Sequence, residues 1–276
     1  MEPWQAAATC LAAACMAIPV LVLPGGIAGR FAPGPFAEPI LSGSLGAIAG
    51  VLLFVLLAQF VGVPPRAWFL RYPDREALIW ILVTGIVVAP ILATAFFVAP
   101  DAVTVADVGI FDLAYRILAA VAIGLWTGIV EEFLLRGVVL SILGHQWHWP
   151  GAILVTALAF GLLHQGGGET VTATALYVGI TTVAGILFGL IVVLTGNIWN
   201  AVAFHATWNA VFAGFLVGFD PSSDPSPLVA LASELPWMLA ADGAVPPESP
   251  LALLLLTLLL CTYWLHVQQN DPATTS

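Results

Sequence analysis

Apolar residues run along the chain in eight long blocks, separated by short breaks rich in proline, glycine or charge. The blocks fall near 4–24, 38–63, 77–99, 114–143, 151–165, 171–195, 197–218 and 250–267. Most approach the roughly 20 residues a helix needs to cross a hydrocarbon core about 30 Å thick, although the fifth and eighth are short. The pattern predicts an all-α, polytopic membrane bundle of about eight transmembrane helices around a central polar cavity. It predicts one domain over residues 1–276, with its chemistry concentrated in a core at 114–218. Block one opens on Met1-Glu2-Pro3 with no positive leader, so it is expected to be retained and not removed as a signal peptide. Four G-x-x-x-G spacings (Gly46/Gly50, Gly124/Gly128, Gly185/Gly189 and Gly214/Gly218) mark places where helices would pack closely.

Composition sharpens this picture. Hydrophobic residues make up 61 % of the chain and charged residues 8 %, against about 25 % charged in an ordinary soluble domain. Mean hydropathy is +1.03. A water-soluble globule is excluded, because so few charges could not keep its surface solvated. Nucleic-acid binding is excluded as a main role, since the six basic residues are all Arg and the net charge is −10. The three cysteines, Cys10, Cys15 and Cys261, form no metal or disulfide pattern.

Orientation follows from the arginines. Arg66, Arg71 and Arg75 cluster between blocks two and three, which places that loop in the cytoplasm. With eight spans both termini are then cytoplasmic. The acidic segment 100–112 and the proline-rich segment 219–249, read as an irregular loop, fall on the other side. No internal repeat is evident.

The informative residues are charges inside apolar blocks. Block four carries Glu131, Glu132 and Arg136 near its middle. Three central charges cost about 8–10 kcal/mol on an insertion scale, and the block's fifteen Leu, Ile, Val and Phe residues return only about 5–9 kcal/mol. Such a helix inserts only if the bundle interior uses those charges. Glu132 and Arg136 are four apart, so they can pair along one face. Glu131 points about 100° away and stays available.

Two further blocks supply matching groups. Phe160 and His164 are four apart in block five, just before the breaker Gly166-Gly167-Gly168. His205 and Asn209 are four apart in block seven. At about 1.5 Å per residue, Glu131, His164 and His205 lie roughly 18, 20 and 12 Å from the cytoplasmic ends of their helices. A pocket open to the cytoplasm would reach all three. A carboxylate, two imidazoles and an amide suit activation of water against a carbonyl, with Glu131 as base and neutral donors for the oxyanion. The same Glu131, His164 and His205 also form a His₂Glu set able to hold catalytic zinc. Both routes lead to peptide hydrolysis. Other protease signatures are missing: there is no H-E-x-x-H, no Gly-x-Ser-Gly and no Gly-x-Gly-Asp.

Glu131-Glu132-x-x-x-Arg136, Phe160-x-x-x-His164 and His205-x-x-x-Asn209 together resemble the three motifs of the CPBP family, the CAAX-protease and bacteriocin-processing intramembrane endopeptidases that include the type II CAAX prenyl endopeptidase. The resemblance spans residues 131–209. It implies an eight-helix bundle with a conical cavity open to the cytoplasm, and a membrane-associated peptide substrate, prenylated in the CAAX-processing members. It further implies Glu131 as the catalytic carboxylate with His164 helping it activate water. His205 and Asn209 would form the oxyanion site, with Glu132, Arg136 and Phe160 in support. Two other functions fit the composition: a non-catalytic bacteriocin-immunity or scaffold member, and a transporter using Glu and His as a proton relay. Every motif position is filled, which disfavours the first. The missing internal repeat disfavours the second.

Overall fold

In a computed structural model of the chain, the residues described are 2–62, 64–98, 100–165, 170–212, 215–218, 226–231 and 250–270. The helices are α1 (Pro3–Phe31), α2 (Ala37–Val61), α3 (Arg75–Val98), α4 (Ile110–Glu132), α5 (Leu140–Gln146), α6 (Trp149–Leu163), α7 (Val171–Thr195), α8 (Ile198–Phe212) and α9 (Pro250–Asn270). A π-helical stretch, Phe133–Val139, joins α4 to α5, so the described helices form eight rods, matching the eight apolar blocks. Five of these rods, Gln5–Phe31, Ala37–Val61, Arg75–Phe97, Ile110–Gln146 and Val171–Thr195, are long and apolar enough to cross a membrane. The expected all-α membrane bundle is the observed architecture.

Two of the remaining rods are short, and their shortness bears on function. α6 and α8 have 15 residues each, about 22 Å at 1.5 Å per residue, less than a hydrocarbon core of about 30 Å. Backbone that leaves a helix at membrane depth is tolerated only where protein or a polar cavity surrounds it. α6 begins on Pro150 in its first turn, with the His148 side chain accepting from Gly151 N, and its C-cap is His164. α7 starts on Thr170, which accepts from Ala173 N, and stops at Gly196 in the left-handed region, φ 63°. Block seven was expected to run to 218, but α8 ends at Phe212 and residues 217–218 are a strand.

Small residues set the packing. A side chain at Gly124 would meet the Ala206 carbonyl of α8, and one at Gly185 would meet the Ala157 backbone of α6. Gly46 lies against Trp126 and Gly50 against Val130, both on α4. Three of the four G-x-x-x-G pairs thus sit at close helix contacts; Gly214 of the fourth lies outside the described residues, as does the Gly166-Gly168 breaker. α4 therefore packs between α2 on one face and α8 on another, and α6 packs against α7.

A small three-stranded sheet was not expected from the apolar pattern. β1 (Val103–Val105) pairs antiparallel with β3 (Val229–Leu231), and β2 (Val217–Gly218) pairs parallel with β3, in the order β1-β3-β2. Arg116 on α4 binds Asp112 at 2.6 Å and donates to the Ser226 carbonyl. It also lies over the Phe36 ring, 5.3 Å from its centroid. Part of the segment read as an irregular loop, 226–231, is thereby fastened to the bundle. The rest of 219–249 lies outside the described residues.

Candidate active site

Glu131 and Glu132 end the regular part of α4, and the wide π turn that follows carries Arg136. Such turns arise where one residue more than usual is accommodated, often at functional positions. The Ser141 hydroxyl donates to the Gly137 carbonyl at 2.6 Å within this distorted stretch. The expected ion pair is present: Arg136 Nη1 donates to Glu132 Oε1 at 3.2 Å, with both side chains fully buried. Arg136 Nη2 donates to the Gly185 carbonyl at 3.0 Å. Its guanidinium lies over two rings, 4.7 Å from the Phe160 centroid and 5.2 Å from Phe188. Phe160 therefore supports the charge directly.

Glu132 has a second partner that the spacing did not reveal. His205 Nδ1 lies 2.8 Å from Glu132 Oε1. Glu132 Oε1 already accepts from Arg136, so it is the acceptor of this contact too and Nδ1 carries the imidazole proton. The other ring nitrogen, Nε2, is then an acceptor in the neutral imidazole, and it faces Glu131 Oε2 at 3.8 Å. The ring is stacked on Phe188 at 4.7 Å and meets the edge of Phe160 at 5.7 Å. His205 is thus locked in tautomer and orientation, with a carboxylate on each side. Glu131 Oε2 is itself buried and has no hydrogen-bond partner, leaving an acceptor free for a proton donor.

His164 caps α6, and its Nδ1 donates to the Phe160 carbonyl at 2.8 Å. That bond again leaves Nε2 as the acceptor. The Phe160 ring lies beside both imidazoles, 4.5 Å from His164 and 5.7 Å from His205. Among the described residues no hydrogen bond or ion pair joins His164 to Glu131; the imidazole within ion-pair distance of that carboxylate is His205. Asn209 Nδ2 donates to the Thr127 hydroxyl at 2.8 Å, whose own proton goes to the Ile123 carbonyl at 3.0 Å. Asn209 keeps a second N–H and a carbonyl oxygen.

His164, His205 and Asn209 line one cavity of about 70 Å³, together with Tyr177, Thr181 and Phe188. This exceeds the about 10–15 Å³ that one water requires. Counted along their helices from the end that carries Arg66 and Arg71, His205 lies about 10 Å deep, Asn209 about 16 Å and His164 about 22 Å. Among the described residues no group of three His, Cys, Asp or Glu side chains is arranged to hold a metal ion. As placed, Glu131, His164 and His205 are not such a group.

Two site residues escaped the sequence reading. Thr127 carried a signal, since it lies four residues before Glu131 on the same helix face, but it sits inside Gly124-Leu-Trp-Thr-Gly128 and was read as packing. Phe188 carried none, because one aromatic in an apolar helix looks like core.

A family model described as type II CAAX prenyl endopeptidase Rce1-like matches residues 112–211. No curated protein and no solved structure matches the chain. The matched segment contains Glu131, Glu132, Arg136, Phe160, His164, His205 and Asn209. Over residues 112–211 the chain is thus similar to the type II CAAX prenyl endopeptidase Rce1-like family.

Proposed function

We propose that the chain is an intramembrane endopeptidase that hydrolyses a peptide bond of a membrane-associated, CAAX-type prenylated peptide through activated water. The observation that carries this reading is His205 held between two carboxylates, 2.8 Å from Glu132 and 3.8 Å from Glu131. A water presented to Glu131 Oε2 and His205 Nε2 meets two acceptors, so either hydrogen can be drawn off as the oxygen attacks. Glu131 is the general base. The new carbon–oxygen bond forms, the proton moves onto the Glu131–His205 pair, and the negative charge falls on the former carbonyl oxygen. The free N–H of Asn209 donates to that oxygen. The same proton then passes from the protonated pair to the leaving nitrogen as the carbon–nitrogen bond breaks. Glu132 and Arg136 hold His205 in the tautomer this requires, in the manner of a carboxylate behind a catalytic histidine. His164 Nε2 is an acceptor in the same cavity and orients the substrate's N–H.

This assignment gives His205 a different part from the one its motif implied. With Nδ1–H committed to Glu132, neutral His205 supports the base and becomes an oxyanion donor only once protonated. The deciding experiment is a peptidase assay on purified full-length protein in lipid, using a farnesylated CAAX peptide and its unfarnesylated twin. Cleavage of the farnesylated peptide that is lost in Glu131→Gln is the expected result. A parent protein that cleaves neither peptide, or a Glu131→Gln variant that still cleaves, would overturn the reading.

A further inference from the structure

A second cavity lies away from the reactive groups, at the end of the bundle where α2 stops at Val61 and α3 begins at Arg75. Its volume is about 800 Å³, within the range of roughly 300–1,000 Å³ typical of ligand sites. Arg66 and Arg71 line it, with Val51, Leu70, Tyr72 and Trp199 among the apolar and aromatic walls. Both arginines are exposed, and among the described residues neither has an ion-pair partner. Two of the chain's six cations thus stand unpaired over one groove in a protein of net charge −10.

The groove is built by tertiary contacts. The Trp199 indole donates to the Arg71 carbonyl at 2.9 Å, and Asn197 Nδ2 donates to the Tyr72 carbonyl and to Asp74, each at 3.2 Å. Ile198 N donates to the Phe69 carbonyl at 3.0 Å. Phe69 itself is held at φ 60°, a left-handed conformation that a bulky residue keeps only when its surroundings enforce it. These bonds clamp residues 69–74 onto the start of α8 and fix the backbone that presents the Arg71 guanidinium, while Arg66 sits in the short helical turn Pro65–Trp68 just before it.

We propose that this groove binds the phosphate headgroup of an anionic phospholipid. Arg66 and Arg71 take the phosphate, for which planar guanidiniums are suited. Tyr72 and Trp199 take the interfacial part of the lipid, where amphipathic rings are favoured. Leu70 and Val51 meet its apolar body. The groove lies where two helices long and apolar enough to cross a membrane end and begin, and the two positive charges select an anionic lipid over a zwitterionic one. The inference is independent of the proposed peptidase chemistry.

The test uses full-length protein delipidated in detergent, with vesicles of dioleoylphosphatidylglycerol or dioleoylphosphatidylcholine as probes and native mass spectrometry as readout. The expected result is retention of phosphatidylglycerol with roughly 25-fold preference, the combined effect of two arginines near a lipid surface. Arg66→Gln/Arg71→Gln should erase the preference, and Arg75→Gln, outside the groove, should keep it. Inorganic phosphate at the same concentration should not displace the lipid. No preference in the parent, equal loss in Arg75→Gln, or displacement by phosphate alone would overturn the proposal. The two single variants, read in the same way, keep the test decisive if the double variant melts early in phosphatidylcholine.

Discussion

Glu132 Oε1 lies 2.8 Å from His205 Nδ1, joining two side chains that are 73 residues apart in the chain. The contact gives the second glutamate of the pair two tasks, since it neutralises Arg136 and fixes the imidazole that faces Glu131.

Glu131→Gln should abolish turnover and leave the melting temperature in detergent near that of the parent, because Glu131 makes no structural ion pair with an arginine. Arg136→Ala should instead destabilise the fold by about 3–5 kcal/mol, the cost of leaving a buried carboxylate uncompensated. Thermal melts of both variants decide the matter. If Arg136→Ala melts like the parent and Glu131→Gln unfolds, the roles are reversed.

Asn209→Ala should lower kcat by about 10²–10³, the typical effect of removing one oxyanion donor. Thr127→Val keeps the shape of the side chain but removes the hydroxyl that accepts from Asn209. It should lower kcat in the same direction but less, with KM little changed. An unchanged kcat in Thr127→Val would show that Asn209 needs no positioning from α4.

Chelation should leave peptidase activity unchanged, because Glu131, His164 and His205 do not form a three-ligand group. The check is activity and bound metal measured on the same preparation before and after chelator. Stoichiometric zinc in active protein, lost together with activity in His205→Ala, would contradict this.

Gly124→Val should weaken the bundle by about 1–3 kcal/mol, the usual cost of overpacking a filled interface. The added side chain would meet the Ala206 carbonyl on α8, one residue from His205. Activity should fall along with the melting temperature. Gly25→Ala on α1, where a side chain would meet nothing, should change neither.

Both termini are expected in the cytoplasm with segment 219–249 outside, from the Arg66, Arg71 and Arg75 cluster. Cysteine labelling from each side of sealed vesicles tests this, and external labelling at the C-terminus would defeat it.

The sequence by itself determined the eight rods, because a helix that must satisfy every backbone group in lipid announces itself as a long apolar run. It also determined the Glu132–Arg136 pair, whose partners are four residues apart on one helix. The three motif helices were legible for the same reason: charges and imidazoles in apolar blocks are too costly to be incidental. Only the tertiary structure decided what those groups face. The approach of His205 to Glu132, the guanidinium between Phe160 and Phe188, and the hold of Thr127 on Asn209 all join different helices. Such contacts depend on how the rods rotate and cross, which local spacing does not encode. The π turn at Phe133–Val139 shifts the helical register after Glu132, so an ideal 3.6-residue wheel misplaces what comes next. The clamped 69–74 segment and the β1-β3-β2 sheet were hidden for a related reason. The clamp and the β1–β3 pairing are held by hydrogen bonds between residues more than 100 positions apart, and segments this short carry no periodicity to reveal them.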